Sequence, residues 1–221
     1  MKRIIALILL VCSCFASTFL FTSCTSSGMD EESLRELTNK QWEAAVESNN
    51  FNNVTITASA VIEGIPEYQM VKITETGVYR KYWATVNGET YEQSIFFEGE
   101  DAVLQKNMFL TVFFELIKNK SNFVYDEEND QYVAPTDVTA TVYPAGTEEY
   151  RDVVLMQNGI VKFDENYNLS YFSCTLTESI YYGDATEPAH PSESYDTVWN
   201  VTDYGKTVIS AEEKAAGTYA E

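Results

Sequence analysis

Residues 78–97, VYRKYWATVNGETYEQSIFF, decide the fold. Within them Asn87 and Gly88 stand between two runs rich in aromatic and β-branched side chains. Both central positions of a type I′ turn require positive φ, and Asn followed by Gly is the pair that adopts such a turn most readily. We therefore predict a hairpin in which a strand at 78–86 pairs antiparallel with a strand at 90–97.

The neighbouring sequence extends this hairpin into a sheet. Apolar and polar side chains alternate at 54–62, which is the period of a strand with one buried face. A turn at Gly64 leads into a second strand at 68–74, so the first four strands are predicted to form a meander. A second Asn-Gly pair, Asn158-Gly159, predicts a hairpin that joins 150–156 to 160–163. Further strands are predicted at 121–125, 131–134, 138–143, 169–177, 195–202 and 207–209.

Two segments are predicted to be helical. Thr38 and Gln41 form a capping box, and Trp42 lies on the apolar face of the helix that follows. The segment 107–117 is apolar on nearly every side and shows no alternation. A helix of that kind must be covered on every side, either by the sheet as part of the core or by a bound apolar partner.

About ten short strands and two helices indicate an α+β fold that is mainly β. We expect a curled antiparallel sheet, half-barrel-like, with the N-terminal helix and the mid-chain apolar helix on its concave side. No linker rich in Pro, Gly or Ser interrupts the chain, so 38–209 is predicted to be a single domain and 210–221 a tail.

The N-terminus has the layout of a bacterial export signal. Lys2 and Arg3 precede an apolar run, and small residues then lead to Cys24. Cys24 is the predicted lipidation site, 1–23 the signal peptide that is removed, and 24–37 a polar tether. The alternative is an uncleaved membrane anchor, because the apolar run is nearly long enough to span a bilayer.

Charge and residue usage restrict the classes of function. The formal net charge is −20, with 34 acidic and 14 basic residues. A surface of that sign repels phosphate backbones, so nucleic acid is not an expected partner. Cys174 is the only cysteine after Cys24, and His190 is the only histidine. These two residues offer neither a zinc site nor a persuasive catalytic triad, and no cofactor motif is present, so we expect a non-enzymatic protein without metal or cofactor.

An acidic run at 126–130 lacks the alternating ligands and central Gly of an EF-hand and is predicted to be a hairpin tip. The aromatic content is high, with 15 Tyr, 12 Phe and 3 Trp. Most of these rings are expected to pack between strands. Some tyrosines would instead form an exposed platform for sugar or peptide, and the sequence leaves both options open.

In its order of elements the chain resembles the LolA-like and LppX-like lipoproteins of bacterial envelopes. The matching features are Cys24, a helix with Trp42, meander strands from Val54, an apolar helix at 107–117 and further hairpins. The motifs Thr38-x-x-Gln41-Trp42 and Asp203-Tyr204-Gly205-Lys206-Thr207 also resemble small lipoproteins of gut anaerobes. The first resemblance implies a half-barrel that holds acyl chains. It implies that Trp42 is a ligand-binding residue near the cavity and that these residues lie in or against it: Met108, Phe109, Val112, Phe113 and Leu116.

The sequence therefore predicts an extracytoplasmic lipoprotein of the bacterial cell envelope, anchored to a membrane through Cys24. It is expected to bind an apolar small ligand or lipid in the cavity of its curled sheet. The alternative is a surface interaction module that binds glycan or protein through exposed aromatic side chains.

Overall fold

The computed structural model describes residues 36–143, 150–189 and 192–217. The predicted signal at 1–23, Cys24, most of the tether and His190 lie outside the described residues. The described helices are α1 (Asn39–Ala45), α2 (Gly99–Ile117) and α3 (Ala211–Gly217), with short 3-10 turns at Ser48–Phe51 and Lys120–Asn122. The strands are β1 (Val54–Ile62), β2 (Ile65–Ile73), β3 (Gly77–Val86), β4 (Glu89–Glu98), β5 (Val124–Asp126), β6 (Gln131–Val133), β7 (Val138–Val142), β8 (Tyr150–Phe163), β9 (Leu169–Tyr182) and β10 (Glu193–Thr202).

The strands form one open, curled antiparallel sheet, and the α+β, mainly β prediction is confirmed. The order across the sheet is β4-β3-β2-β1-β10-β9-β8-β6-β5, and β7 also pairs with β8. The first and last strands meet in the middle of the sheet, where Thr55 of β1 faces Thr202 of β10. α2 contacts β3 and β4 on one side and β7 on the other, so the sheet curves around the helix.

The hairpin at Asn87-Gly88 is confirmed. β3 and β4 pair antiparallel from Gly77–Glu98 to Val86–Glu89, and the two turn residues have φ angles of 53° and 84°. The acidic run is also a hairpin tip, because β5 and β6 pair across it. At this tip Asn129 and Gln131 donate to Oδ2 of Asp126 over 2.8 and 3.0 Å.

The hairpin predicted at Asn158-Gly159 is wrong, because β8 continues through both residues. Asn158 has a φ of 54°, and the register against β9 shifts between Gln157 and Ile160, so the pair forms a β-bulge. The bulge lies where β8 changes its neighbour, from β7 before it to β6 after it. A strand that is paired on both sides cannot reverse there, whatever its local turn preference.

The middle and the C-terminal part of the described chain contain more helix than the sequence predicted. α2 begins at Gly99 instead of 107, and Glu100 and Asp101 lie in its first turn, where the helix dipole favours acidic side chains. The segment predicted as a tail contains α3, which packs on the outer face of the sheet near Phe96. Ser210 and Glu213 form a capping box at its start, with backbone-to-side-chain hydrogen bonds of 2.8 and 3.1 Å.

α1 begins as the sequence predicts. Gln41 N donates to Thr38 Oγ1, and Thr38 N donates to Gln41 Oε1 over 2.9 Å. Within the described ranges, no helix is long and apolar enough to cross a membrane.

Candidate functional site

The inner face of α2 carries five of the six residues that the family resemblance assigned to an apolar site. Their spacing along the helix puts them on one face, which is turned toward the sheet. They are Met108, Phe109, Val112, Phe113 and Leu116.

Two central strands supply the floor beneath this helix face. Alternate residues of a strand share one face, and those of β9 and β10 that face α2 include Phe172, Leu176, Tyr195 and Trp199. Register holds them side by side, because Phe172 pairs with Trp199 and Leu176 pairs with Tyr195. Directly paired side chains of two neighbouring strands, β9 and β10, therefore form the floor of the site.

Trp199 is the central ring of this site. Phe109 and Phe113 both stack on it, with ring centroids at 5.0 and 4.9 Å and interplanar angles of 13° and 10°. Phe172 meets Phe113 edge-on at 5.1 Å. The buried indole N–H is satisfied, because Trp199 Nε1 donates to Thr197 Oγ1 over 3.0 Å.

Helix and floor do not close completely and leave a cavity of about 70 Å³. Its walls are the five helix residues, the four floor residues and Glu178 of β9. For comparison, an engineered apolar cavity of about 150 Å³ admits benzene. The cavity thus has room for a few heavy atoms, and Met108, with 42% of its surface exposed, lies at its rim.

Glu178 gives this apolar cavity one charged wall. The Tyr195 hydroxyl donates to Glu178 Oε1 over 2.8 Å. Burial raises the pKa of Glu178, the hydrogen bond from Tyr195 opposes this rise, and the charges of Asp152 and Glu193 add to it. Burial, followed by the charge of Glu178, also raises the pKa of Tyr195, so the phenol stays protonated.

Two further carboxylates share the sheet face of Glu178. Glu193 pairs directly with Glu178 across the β9–β10 ladder, and Asp152 lies two residues from Val154, the partner of Glu178 on β8. Burial raises the pKa of Asp152, and its buried Oδ1 has no hydrogen-bond partner. No lysine or arginine in the described ranges forms an ion pair with any of the three.

Trp42, the sixth predicted residue, does not line the cavity. It is fully buried beside the C-terminal end of α2, where its Nε1 donates to the Ile117 carbonyl over 2.8 Å. Phe123, Tyr132 and Phe163 surround its ring at 5.0 to 5.2 Å. The structure thus gives Trp42 the role of joining α1 to the end of α2.

A partly buried polar cluster lies beside Phe109. The Arg80 guanidinium of β3 is 5.7 Å from the Phe109 ring centroid and donates to Gln105 Oε1 over 3.1 Å and to the Tyr82 hydroxyl. Gln69 is fully buried next to Tyr82, and its amide has no hydrogen bond of good geometry. Arg80 of β3 therefore links the sheet to α2 at Gln105, which precedes the cavity-lining residues of the helix.

Cys174 lies between Phe172 and Leu176 on the buried face of β9. Burial, with a smaller contribution from the charge of Asp196, raises the pKa of Cys174 well above its usual value, so the thiol stays protonated. Among the described residues, no three His, Cys, Asp or Glu side chains converge as a metal site. A second hollow of about 450 Å³ on the surface is lined mainly by polar residues: Asn52, Thr74, Glu75, Thr76, Val78, Gly99, Ala102, Val103, Lys106 and Asn107.

The sequence contains a signal for the cavity residues on β9. Phe172, Cys174 and Leu176 define the apolar face of a strand, and two residues further on the same face reaches Glu178. A carboxylate that continues an apolar face is an unusual feature and marks the charged wall. Tyr195 and Trp199 continue the same pattern on the last strand.

No protein-family model matches this chain, and no curated protein matches it in sequence.

Proposed function

We propose that this protein is a non-enzymatic lipoprotein of the bacterial cell envelope, anchored to a membrane through Cys24, that binds an apolar group beneath α2. The observation that carries the binding function is the cavity between α2 and the β9–β10 floor. Its walls are almost wholly apolar, which favours hydrocarbon over polar ligands. A role of this kind would be in keeping with the resemblance to LolA-like and LppX-like lipoproteins.

The cavity volume sets the size of the ligand. About 70 Å³ admits a short alkyl segment or the tip of an acyl chain. A longer chain enters only if α2 moves away from the sheet. Trp42 holds the C-terminal end of α2. The N-terminal end begins at Gly99, whose φ of 59° is readily adopted by glycine, and the nearby side chains of Val103 and Leu104 are exposed. We therefore expect α2 to pivot about its C-terminal end, which requires Gln105 to release Arg80.

Filling the cavity tests this function. We expect Val112→Phe to abolish binding of short alkyl ligands, because its ring occupies the space beneath the helix. Val103→Phe is the matched control, since Val103 lies on the same helix with 60% of its surface exposed and does not line the cavity. Binding is measured by isothermal titration with 1-octanol, and by native mass spectrometry for lipid that co-purifies.

The two variants give opposite results if the proposal is right. Equal binding by Val112→Phe, Val103→Phe and the parent protein would place the ligand elsewhere. Failure of the parent protein to bind any alkyl ligand, with no lipid co-purified, would reject apolar binding altogether. Far-ultraviolet circular dichroism confirms that each variant is folded.

The anchor is tested separately, because it rests on the N-terminal sequence. We expect Cys24→Ala to lose incorporation of labelled fatty acid and to leave the membrane fraction. Cys12→Ala, a substitution inside the apolar run, is the control and keeps both properties. If Cys24→Ala stays wholly in the membrane fraction, the N-terminus is an uncleaved anchor.

A second candidate function, binding of glycan or protein, is favoured by one surface feature. Tyr68 and Trp83 stack on the outer face of the sheet with centroids 5.7 Å apart, and Lys81 lies 5.8 Å from the Trp83 ring. Planar aromatic surfaces of this kind pack against sugar rings and peptides. A glycan array probed with the parent protein and with Trp83→Ala tests it, and equal signals would reject this surface.

A further inference from the structure

We propose that the natural ligand of the cavity beneath α2 is an aliphatic primary amine, whose ammonium group binds the Glu178 carboxylate while its alkyl chain lies against Trp199 and the inner face of α2. This inference rests on the proposed apolar binding and adds the chemistry of the polar end of the ligand.

The geometry of Glu178 is the first argument. It is the only ionisable carboxylate among the residues that line the cavity. One of its oxygens accepts the Tyr195 hydrogen bond, and this bond orients the carboxylate at the cavity wall. An ammonium group carries three donors, so it fits a carboxylate with further capacity to accept.

The missing counter-ion is the second argument. A largely buried carboxylate is normally paired with a cation or receives several hydrogen bonds, because an unpaired buried charge is costly. In the part of the chain that the structure describes, neither lysine nor arginine pairs with Glu178. Arg80, the cation beside the Phe109 ring, is directed to Gln105 and Tyr82. A ligand cation would supply the partner that the protein lacks.

The surrounding charge is the third argument. Asp152 and Glu193 lie on the same sheet face as Glu178, and Glu193 is its direct partner in the β9–β10 ladder. Their field attracts a cation into the site and repels an anion. The whole chain carries a formal charge of −20, which acts in the same direction. A fatty acid would bring its own carboxylate into this field.

The test compares three ligands that share one alkyl chain and differ in the head group. Octylamine, 1-octanol and octanoate are titrated into the folded protein at neutral pH and followed by calorimetry. We expect octylamine to bind about tenfold tighter than 1-octanol, and octanoate to bind weakest, since a charge-assisted hydrogen bond is worth about this factor.

Glu178→Gln separates the charge from the shape of the site. Its side-chain oxygen still accepts from Tyr195, so the cavity keeps its form, and we expect octylamine to bind no better than 1-octanol. Glu193→Gln removes an exposed carboxylate from the same face without altering the lining and is the matched control. It should keep most of the preference for the amine.

The outcomes distinguish this inference from the proposed function. Equal binding of the three ligands, or preference for octanoate, overturns the amine assignment and leaves apolar binding intact. Absence of binding for all three ligands rejects the apolar site itself. A preference for octylamine that persists in Glu178→Gln would also overturn the assignment, because the amine would then bind another group.

Discussion

The contact between Trp42 and the end of α2 predicts a large, specific loss of stability. Trp42→Phe removes the indole N–H, which donates to the Ile117 carbonyl over 2.8 Å, and leaves that carbonyl without its buried partner. Loss of a buried hydrogen bond with one partner left behind costs about 1–3 kcal/mol. The smaller ring also loses contact with Phe123 and Phe163, which adds about 1 kcal/mol of lost apolar burial. We expect the free energy of unfolding to fall by about 2–4 kcal/mol in total.

The measurement is urea unfolding followed by far-ultraviolet circular dichroism, because tryptophan fluorescence would change with the substitution itself. Trp83→Phe is the matched control, since Trp83 is only half-buried on the outer face of the sheet. We expect the control to lose less than about 1 kcal/mol. A loss of similar size in both variants, or a loss below about 1 kcal/mol in Trp42→Phe, would refute the role of Trp42 in holding α2.

Two further predictions concern the C-terminal helix and the charged wall of the cavity. Gly217→Val should detach α3 from β4, because a Cβ at this position would lie 2.6 Å from Phe96 N and 2.7 Å from Ile95 C, and these backbone atoms cannot move aside. The measurement is protease cleavage near 211–217, which should become faster while the rest of the protein stays intact. Ala215→Val, at an exposed position of the same helix, is the control. Glu178→Gln should gain stability relative to the parent protein as pH rises from about 4 to about 7. The folded-state pKa of Glu178 is raised by burial, so the folded protein keeps the proton longer than the unfolded chain and loses stability across that window. Urea unfolding at both pH values measures the difference, and no change with pH would contradict the burial of this carboxylate.

Local patterns predicted the parts of the fold that local physics determines. The hairpin at Asn87-Gly88 and the capping box at Thr38 each depend on residues within a few positions of one another, and both are present. Asn158-Gly159 carries the same local preference, yet the neighbours of β8 on both sides keep the strand continuous. Turn chemistry alone does not reveal such tertiary pairing.

The candidate site shows the same division between local and distant information. Helical spacing alone brings Met108, Phe109, Val112, Phe113 and Leu116 to one face, and they share the cavity wall. The floor depends on which strands lie in the centre of the sheet. No short segment of the sequence predicts that β1 pairs with β10 there. Trp42 was grouped with the site through family resemblance, whereas its position depends on how α1 packs beside the end of α2.

The pairing of β1 with β10 also sets the order in which the protein can fold. Thr55 and Thr202 are partners in the middle of the sheet, although Thr55 belongs to the first strand along the chain and Thr202 to the last. The central ladder therefore cannot close until nearly the whole chain is available, and such long-range closure slows folding. During synthesis the incomplete chain would form only its local hairpins. Folding would then be completed only after β10 has emerged.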